Sequence, residues 1–306
     1  MMSGPSDAGG SDPSGCARLP LISRCVKFSA ALLRPIEMRE ILGGLVFLVV
    51  LAVVLGALER RFRARPPAPL LARRRLGDLA HWLLGGWLAK AAAAVATLFA
   101  VLMALPLVLL ARIGERHPFD GFIPPLQRLP RALQLVIAIL LVDLISYWTH
   151  RLLHQRPFWR LHAIHHSTRD LDWFSSARNH PLAEGVSRFF ATLPIFILGV
   201  DGDILAGLVP IVGIWAIFIH SNVRWKLGFL RWVVVTPHFH RWHHSRAPEA
   251  RDKNFAGLFP VWDALFGTLY LPEHLPDDFG VDDADAVPDG FVAQLMHPFR
   301  RRPRVE

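Results

Sequence analysis

Cysteine is almost absent from this 306-residue chain, which contains only Cys16 and Cys25. Both lie before the first long apolar run, so the sequence offers neither a disulfide framework nor a thiolate metal site. It also lacks a G-x-G-x-x-G nucleotide-binding fingerprint, a C-x-x-C-H haem attachment motif and the cysteine pattern of an iron–sulfur cluster. The chain therefore has no motif for carrying a nicotinamide, haem or iron–sulfur group of its own.

Lysine is scarce as well: only four of the 34 basic residues are lysine, and the formal net charge is +9. The arginines flank apolar runs and have no nucleic-acid recognition motif around them. We therefore predict that they set membrane topology and contact headgroups, and we predict no nucleic-acid partner. We interpret the preference for arginine as the mark of a GC-rich bacterial genome.

Long apolar runs dominate what is present, with 52% hydrophobic residues and a mean hydropathy of +0.32. Residues 41–58 are uncharged and long enough to cross the hydrocarbon core of a bilayer. Residues 79–112 predict either one long tilted helix or an interfacial helix followed by a span, and residues 132–149 predict a further crossing. The arginine-rich stretch at 60–75 marks the loop after the first span as cytoplasmic.

Two shorter apolar segments, 185–200 and 204–219, are joined by a short acidic turn. Their lengths predict a hairpin that enters the membrane and returns to the side where the span at 132–149 ends. We therefore predict an all-α integral membrane bundle, in a bacterial inner membrane, with a cytoplasmic histidine-rich helical cap.

Histidines are concentrated at the ends of these apolar segments and recur with helical spacing. Positions three or four apart lie on one face of a helix, so each group can direct its imidazoles toward a common centre. The groups are His150 and His154, then His162, His165 and His166, then His240, His243 and His244. A single histidine is more often an ordinary surface or core residue, but three groups that share this spacing predict a metal site.

Eight imidazoles exceed the number of protein ligands that one metal ion takes, so the set predicts a site for two ions. Imidazole accepts iron, copper or zinc, and the spacing alone leaves that choice open. Asp143 lies inside the span that precedes His150, where an ionisable group is costly. It is either an outer partner of a ligand histidine or an ordinary polar residue with its own partner.

The pattern H-x3-H followed by two copies of H-x2-H-H resembles the fatty acid hydroxylase superfamily, membrane di-iron enzymes that include sterol desaturases, sterol methyl oxidases and alkylglycerol monooxygenase. The resemblance covers roughly residues 130–272, and its histidine spacing is specific for the superfamily but not for a substrate. Further matching positions are Arg178, His180 and Pro181, then His220 and Asn222, then Asp252, Asn254 and Gly257, and finally Trp262 to Thr268.

This resemblance implies two iron ions, O2 as co-substrate, and either insertion of an oxygen atom into a lipid C–H bond or removal of two hydrogens. It adds His220 and His180 to the eight candidate metal ligands. An amphipathic lipid is expected to enter from the bilayer between the apolar helices. Because the chain has no redox cofactor motif, electrons are expected from a separate ferredoxin-type or flavin-linked protein.

A ligating imidazole usually donates its second N–H to a carboxylate or a carbonyl oxygen. Candidates for that outer role are Asp252, Asn254, Asp263 and Asn222, each of which could equally be a turn or cap residue. His238 lies off the helical face of the late histidine group, and we predict that it is not a ligand.

Two other functions stay open on the sequence alone. A membrane zinc hydrolase also fits imidazole spacing, although the usual H-E-x-x-H motif is absent and the ligands outnumber what one zinc needs. A metal-binding or transport protein without catalysis is the other alternative, although transport favours ligands near the midplane of the bilayer and these histidines lie past the helix ends.

The chain divides into four predicted parts. Residues 1–37 are rich in Gly, Ser, Pro and Asp without periodicity and are predicted to be a disordered tail. Residues 38–130 form the N-terminal transmembrane region, residues 131–272 the fatty acid hydroxylase-like catalytic domain, and residues 273–306 a C-terminal cytoplasmic tail.

Overall fold

Helices make up nearly all regular structure in the computed structural model, which describes residues 38–67, 73–111, 129–198, 200, 202–282 and 286–300. The helices are α1 (Met38–Phe62), α2 (Arg73–Ala80), α3 (Gly86–Ala111), α4 (Arg131–Leu153), α5 (Trp159–His166), α6 (Pro181–Leu198), α7 (Gly202–His220), α8 (Pro237–His243), α9 (Val261–Leu265) and α10 (Phe291–Met296). Within the described residues there is no strand, only two isolated bridges. The predicted all-α class is confirmed, while the predicted disordered tail lies outside the described residues.

Four helices in the described ranges are long and apolar enough to cross a membrane: Leu42–Phe62, Arg75–Pro106, Arg131–Leu153 and Asp203–His220. The second joins α2 to α3 through a π-helical turn at His81–Gly85, so the chain forms one long helix there. Many leucine, valine and phenylalanine side chains on these helices are exposed, as a lipid environment requires.

Helix α6 packs against α3 through small side chains. A Cβ added at Gly185 would lie 3.5 Å from the carbonyl oxygen of Ala92, and the hydroxyls of Thr97 and Thr192 lie 3.5 Å apart. Small residues let helix backbones approach closely, which matters in a bilayer because the hydrophobic effect does not drive helices together there. Because Gly185 meets Ala92 and Thr192 meets Thr97, α6 runs in the direction of α3, and α7 brings the chain back.

At one end of the bundle, hydrogen bonds join the end of α1 to the segments that follow α5 and α7. The backbone N–H of Arg224, just after α7, donates to the carbonyl oxygen of Phe62 at the end of α1 (2.9 Å). Glu59 of α1 accepts the backbone N–H groups of Trp173 (2.9 Å) and Asn222 (2.8 Å). We call α5, α8, α9 and the segments that flank them the cap. These hydrogen bonds join the cap to the end of α1, next to the end of α7.

Asp143 of α4 also binds the cap. Its carboxylate accepts the backbone N–H groups of Leu258 (2.8 Å) and Phe259 (2.9 Å) and the indole N–H of Trp262 (3.0 Å). Of the two sequence alternatives, the structure therefore favours a polar residue that holds a cap loop over a direct partner of a histidine. The bond network lets a carboxylate sit inside a span, because its oxygens are satisfied by protein donors.

Two ion pairs of different burial allow a test of how the cap is attached. Asp78 and Arg178 lie 2.7 Å apart with nearly buried side chains, whereas Glu184 and Arg188 lie 3.1 Å apart and are about one-third exposed. Asp78→Ala leaves a buried guanidinium without its partner, so we expect a loss of about 3–5 kcal/mol of stability. Glu184→Ala removes an exposed i,i+4 pair and should cost about 0–1 kcal/mol. Thermal denaturation of both variants in one detergent measures the difference, and equal shifts would contradict it.

Candidate metal centre

Nine histidines meet at the cap end of the bundle in two groups. Within each group the ring nitrogens that face the centre lie within 4.8 Å of one another. The first group is His150, His154, His162, His166 and His243, and the second is His165, His220, His240 and His244. All eight histidines of the spaced pattern, together with His220, are therefore brought together.

All the histidines of the two groups except His162 lie in the last turn of a helix or at its C-cap position. His150 lies in the last turn of α4, His154 is its C-cap residue, and His220 is the last residue of α7. The start of α8 is fixed by Thr236, whose hydroxyl accepts the backbone N–H of Phe239 (3.2 Å), with proline at the first helical position. Helix ends give the imidazoles a rigid base that a loop would lack.

Both H-x2-H-H segments are divided between the two groups. In α5, His162 and His166 serve the first group while His165 serves the second. In the segment of α8 the assignment is reversed, because His240 and His244 serve the second group and His243 the first. Residues four apart differ by about 40° around a helix and residues three apart by about 60° in the other sense. One short helix can therefore face two adjoining sites.

The two groups share a wall of imidazole rings. Ring centroids lie 5.2 Å apart for His162 and His165, 4.4 Å for His166 and His244, and 5.3 Å for His240 and His243, and all three pairs are stacked. In each pair one ring belongs to the first group and the other to the second. The groups are thus neighbouring compartments of one centre.

Five of the imidazoles use Nδ1–H to donate to an oxygen outside the groups. The bonds run from His150 to the Phe255 carbonyl (2.8 Å), from His154 to the Asp252 carboxylate (3.2 Å), from His165 to the Arg178 carbonyl (3.0 Å), from His220 to the Ala216 carbonyl (2.6 Å) and from His243 to the Lys253 carbonyl (2.8 Å). Because each partner only accepts, the proton lies on Nδ1 and the Nε2 lone pair is left for another ligand.

The inward nitrogen atoms lack partners that could satisfy them. The Nε2 atoms of His165 and His220 face each other at 3.1 Å, although both rings have already used their proton on Nδ1. Two lone pairs at that distance repel unless a cation lies near them. Nε2 of His154, His166 and His243 is also buried without a hydrogen bond. Metal coordination would satisfy this donor set, which consists of nitrogen ligands alone.

Burial lowers the pKa of the histidines in the cap. The pKa values of His162, His165, His166, His240, His243 and His244 lie well below the ordinary 6.5, first because burial disfavours the charged form and then because neighbouring imidazoles repel a second charge. These imidazoles are therefore neutral at pH 7, and protons do not compete for the lone pairs that a metal would need.

Residues 252–255 supply the outer partners of three of the five imidazoles in the first group. The acceptors are the Asp252 carboxylate and the carbonyl oxygens of Lys253 and Phe255. Asp252 and Asn254 both have left-handed backbone, with φ of 55° and 60°. Asp and Asn tolerate that region better than other side-chain-bearing residues, which explains their presence in this tight segment.

Two side chains hold this segment in place. The Asn254 side chain donates to the Tyr270 carbonyl oxygen (2.7 Å) and accepts the Tyr270 N–H (2.8 Å). Asp263 accepts the backbone N–H groups of Phe255 and Ala256, both at 2.8 Å. Of the predicted outer partners, Asp252 thus binds a histidine directly, while Asn254 and Asp263 act through the backbone.

His180 lies outside both groups, so the structure does not support its predicted role as a metal ligand. Its Nε2 donates to the Leu295 carbonyl oxygen (3.0 Å), and its Nδ1 accepts the backbone N–H of Leu182 (3.1 Å). Both ring nitrogens are therefore committed to backbone partners. His238, predicted not to be a ligand, also lies outside the groups, and Asn222 binds the backbone of Arg65 rather than a histidine.

Sequence reasoning missed the carbonyl oxygens that orient four of the imidazoles. They belong to Arg178, Ala216, Lys253 and Phe255. A backbone oxygen is present at every residue and has no side-chain signature, so spacing could not reveal these partners. Arg178 was itself a matching position, and Lys253 and Phe255 lie in the matching segment 252–257, but nothing in the sequence pointed to their carbonyl oxygens.

Comparisons with known proteins agree with this geometry. The fatty acid hydroxylase family model matches residues 135–268. Ornithine lipid hydroxylase OlsE from Rhizobium tropici is 30% identical over 230 residues, which cover 75% of this chain and 67% of that protein. Alkylglycerol monooxygenase from Homo sapiens is 35% identical over 134 residues, covering 43% of this chain and 29% of that protein. Lathosterol oxidase from Mus musculus is 30% identical over 135 residues, or 42% of each chain.

The chain spans about a third of the length of the alkylglycerol monooxygenases that it matches. No solved structure matches it. The matched region contains all nine histidines of the two groups and coincides with the stretch where the sequence resembles the superfamily. The similarity to the ornithine lipid hydroxylase extends over most of both chains. The chain therefore belongs to the fatty acid hydroxylase family.

Proposed function

We propose that this protein is a membrane-bound di-iron oxygenase that hydroxylates or desaturates a lipid C–H bond. The observation that carries the proposal is the pair of adjoining groups of buried, neutral imidazoles at the end of a bundle of candidate membrane spans. The relatives are named as an ornithine lipid hydroxylase, an alkylglycerol monooxygenase and a lathosterol oxidase, which supports lipid oxidation and an amphipathic lipid substrate.

In this proposal each histidine group holds one iron ion. When bound, the two ferrous ions supply the electrons that cleave O2 and the oxidising strength that breaks an unactivated C–H bond. The chain contributes the remaining functions. The outer Nδ1–H bonds fix the orientation of five rings, and the burial of the cap histidines keeps water away from the reacting carbon.

The placement of the site suits a substrate that lies in the bilayer. The first and fourth candidate spans end at Phe62 and His220, and the third ends beside His150, so the centre lies just beyond the apolar region. The arginines between α1 and α2 are at this same end, which supports a cytoplasmic site in a bacterial inner membrane. The proposed catalytic domain, residues 131–272, contains every histidine of the centre.

The proposed electron donor is a separate protein. The sequence has no motif for a nicotinamide, haem or iron–sulfur group, and oxygen chemistry at two irons needs electrons for each turnover. A ferredoxin-type or flavin-linked donor fits that requirement.

Metal analysis of protein purified without oxygen tests the proposal directly. We expect two irons per chain, and oxygen uptake that depends on both added lipid and a reductant, because the two groups offer separate nitrogen-ligand sets. Zinc as the bound metal, with no oxygen uptake in the presence of lipid and reductant, would favour a hydrolase and contradict the proposal.

Alanine substitutions distinguish ligand histidines from others. His243→Ala removes a ligand from the first group and His165→Ala one from the second, so each should lose one of the two irons and all activity. His274→Ala is the matched control, since that ring is exposed and contacts Trp242 rather than the centre. Iron content per chain and product formation are the measurements. The same losses in all three variants would remove the distinction.

Asp263 and Asp143 form a matched pair for testing how the first group is held. Each is a buried carboxylate that accepts two backbone N–H groups and one side-chain donor at 2.7 to 3.0 Å. Asp263 fixes the peptide whose carbonyl oxygen orients His150, whereas the peptides fixed by Asp143 orient no histidine.

We therefore expect Asp263→Asn to weaken iron binding at the first group by about 10- to 100-fold, the usual effect of losing outer support. Asp143→Asn should leave iron affinity near that of the parent, even where it lowers thermal stability to a similar degree. Iron titration and thermal denaturation of both variants separate the two effects. Equal loss of affinity would mean that the carboxylates act only on cap stability.

A further inference from the structure

Two patches of exposed apolar side chains remain on the part of the molecule that carries the histidines. The first, the loop patch, is formed by Phe229, Leu230, Trp232 and Val233, which are 78%, 53%, 48% and 45% exposed. These residues lie in and just after the short 3-10 turn Gly228–Trp232, between α7 and α8. A cluster of this kind on a protein surface usually marks an interaction site.

The loop patch begins where two candidate spans end. The backbone N–H of Arg224 donates to the carbonyl oxygen of Phe62, and the ring of Trp225 lies 5.1 Å from the ring of Phe62. Phe62 ends the first candidate span, and His220, nine residues before Phe229, ends the fourth. The segment that leads into the patch is therefore held at the level where these helices leave the apolar region.

The second, the helix patch, lies on α10 and the turn that follows it. Val292, Met296 and Phe299 are 70%, 50% and 63% exposed and occupy positions i, i+4 and i+7, which share one side of a helix. The other side is inward, since Gln294 and His297 are buried. The segment is amphipathic, with its apolar side uncovered within the described part of the chain.

The helix patch also lies beside the start of a candidate span. Gln294 Oε1 accepts from Nε2 of His81 (2.8 Å), and the Phe291 ring packs edge-on against the same imidazole (4.8 Å). His81 is in the π-helical turn of the second candidate span, where Leu76 and Leu83 are exposed. The inward side of the segment therefore contacts this span, and its apolar side is exposed beside it.

The residues around the patches favour a phospholipid surface as the occupant. Arg224 and Lys226 precede the loop patch, Arg231 lies within it, and Arg300 follows the helix patch. Tryptophan and phenylalanine interleaved with arginine and lysine are typical of segments that lie in the headgroup region and contact anionic lipid. Glu273 pairs with Lys226 and Arg231, so part of this charge is shared within the protein.

We propose that the loop patch and the helix patch both rest in the headgroup region of the bilayer that the apolar helices cross. The cap would then contact the membrane at both patches. The loop patch follows a segment that contacts the end of α1, and the helix patch lies on α10, which contacts α2. The helix patch is also fastened to α5, because the guanidinium of Arg160 donates to the carbonyl oxygens of His297, Pro298 and Arg300 (2.6 to 3.0 Å).

The placement of the two patches can be tested in the full chain by measuring how strongly labelled lipid quenches a fluorophore attached at single positions. In a background of Cys16→Ser and Cys25→Ser, single cysteines are introduced as Phe229→Cys, Met296→Cys or Glu249→Cys and labelled with an environment-sensitive fluorophore. Glu249 is the control, as it is exposed on the cap and polar. In nanodiscs of phosphatidylcholine and phosphatidylglycerol, we expect nitroxide-labelled lipid to quench positions 229 and 296 several-fold more strongly than position 249.

Equal quenching at the three positions would overturn the proposal. So would protection of positions 229 and 296 from lipid together with energy transfer between labelled chains in one particle, which would assign the patches to contact with a second copy. Unchanged iron content of the labelled variants shows that the cap is folded, and the readout does not depend on whether the protein oxidises lipid.

Discussion

The structure of the cap depends on the burial of nine imidazole rings, whose polar nitrogen atoms must all find partners away from water. Burial keeps the cap imidazoles neutral, so they carry no positive charge that carboxylates would have to balance. Five rings direct their only proton outward, and the lone pairs that remain converge on one another. Such an arrangement is costly unless cations occupy the centre, so the binding of metal and the stability of the cap are linked.

Backbone oxygens orient the centre more than side chains do. Four of the five outer acceptors are carbonyl groups, and the fifth is the carboxylate of Asp252. The conformation of the chain at residues 252–255 therefore matters more than the identity of any residue facing a histidine. Buried polar residues such as Asn254 and Asp263 keep that conformation by binding backbone groups. The hydrogen bonds that hold this part of the fold therefore also fix the positions of the histidines.

Strong periodic signals made much of this predictable from sequence. Apolar runs of sufficient length gave the candidate spans, and spacing of three and four residues identified the eight histidines of the pattern, because both signals depend only on local helix geometry. The division of each H-x2-H-H segment between two groups was not predictable, since it depends on how α5 and α8 are rotated against each other. His180 was predicted as a ligand from its motif position, which does not show what its ring contacts; both of its ring nitrogens bond to backbone groups.

The sharing of α5 between both groups has a mechanical consequence. His162 and His165 are separated by less than one turn of a single helix, so the distance between the two compartments is fixed by covalent backbone geometry. Movement of α5 relative to the other helices would therefore displace its rings in both compartments together. A centre built in this way keeps the spacing of these two rings when the surrounding helices move.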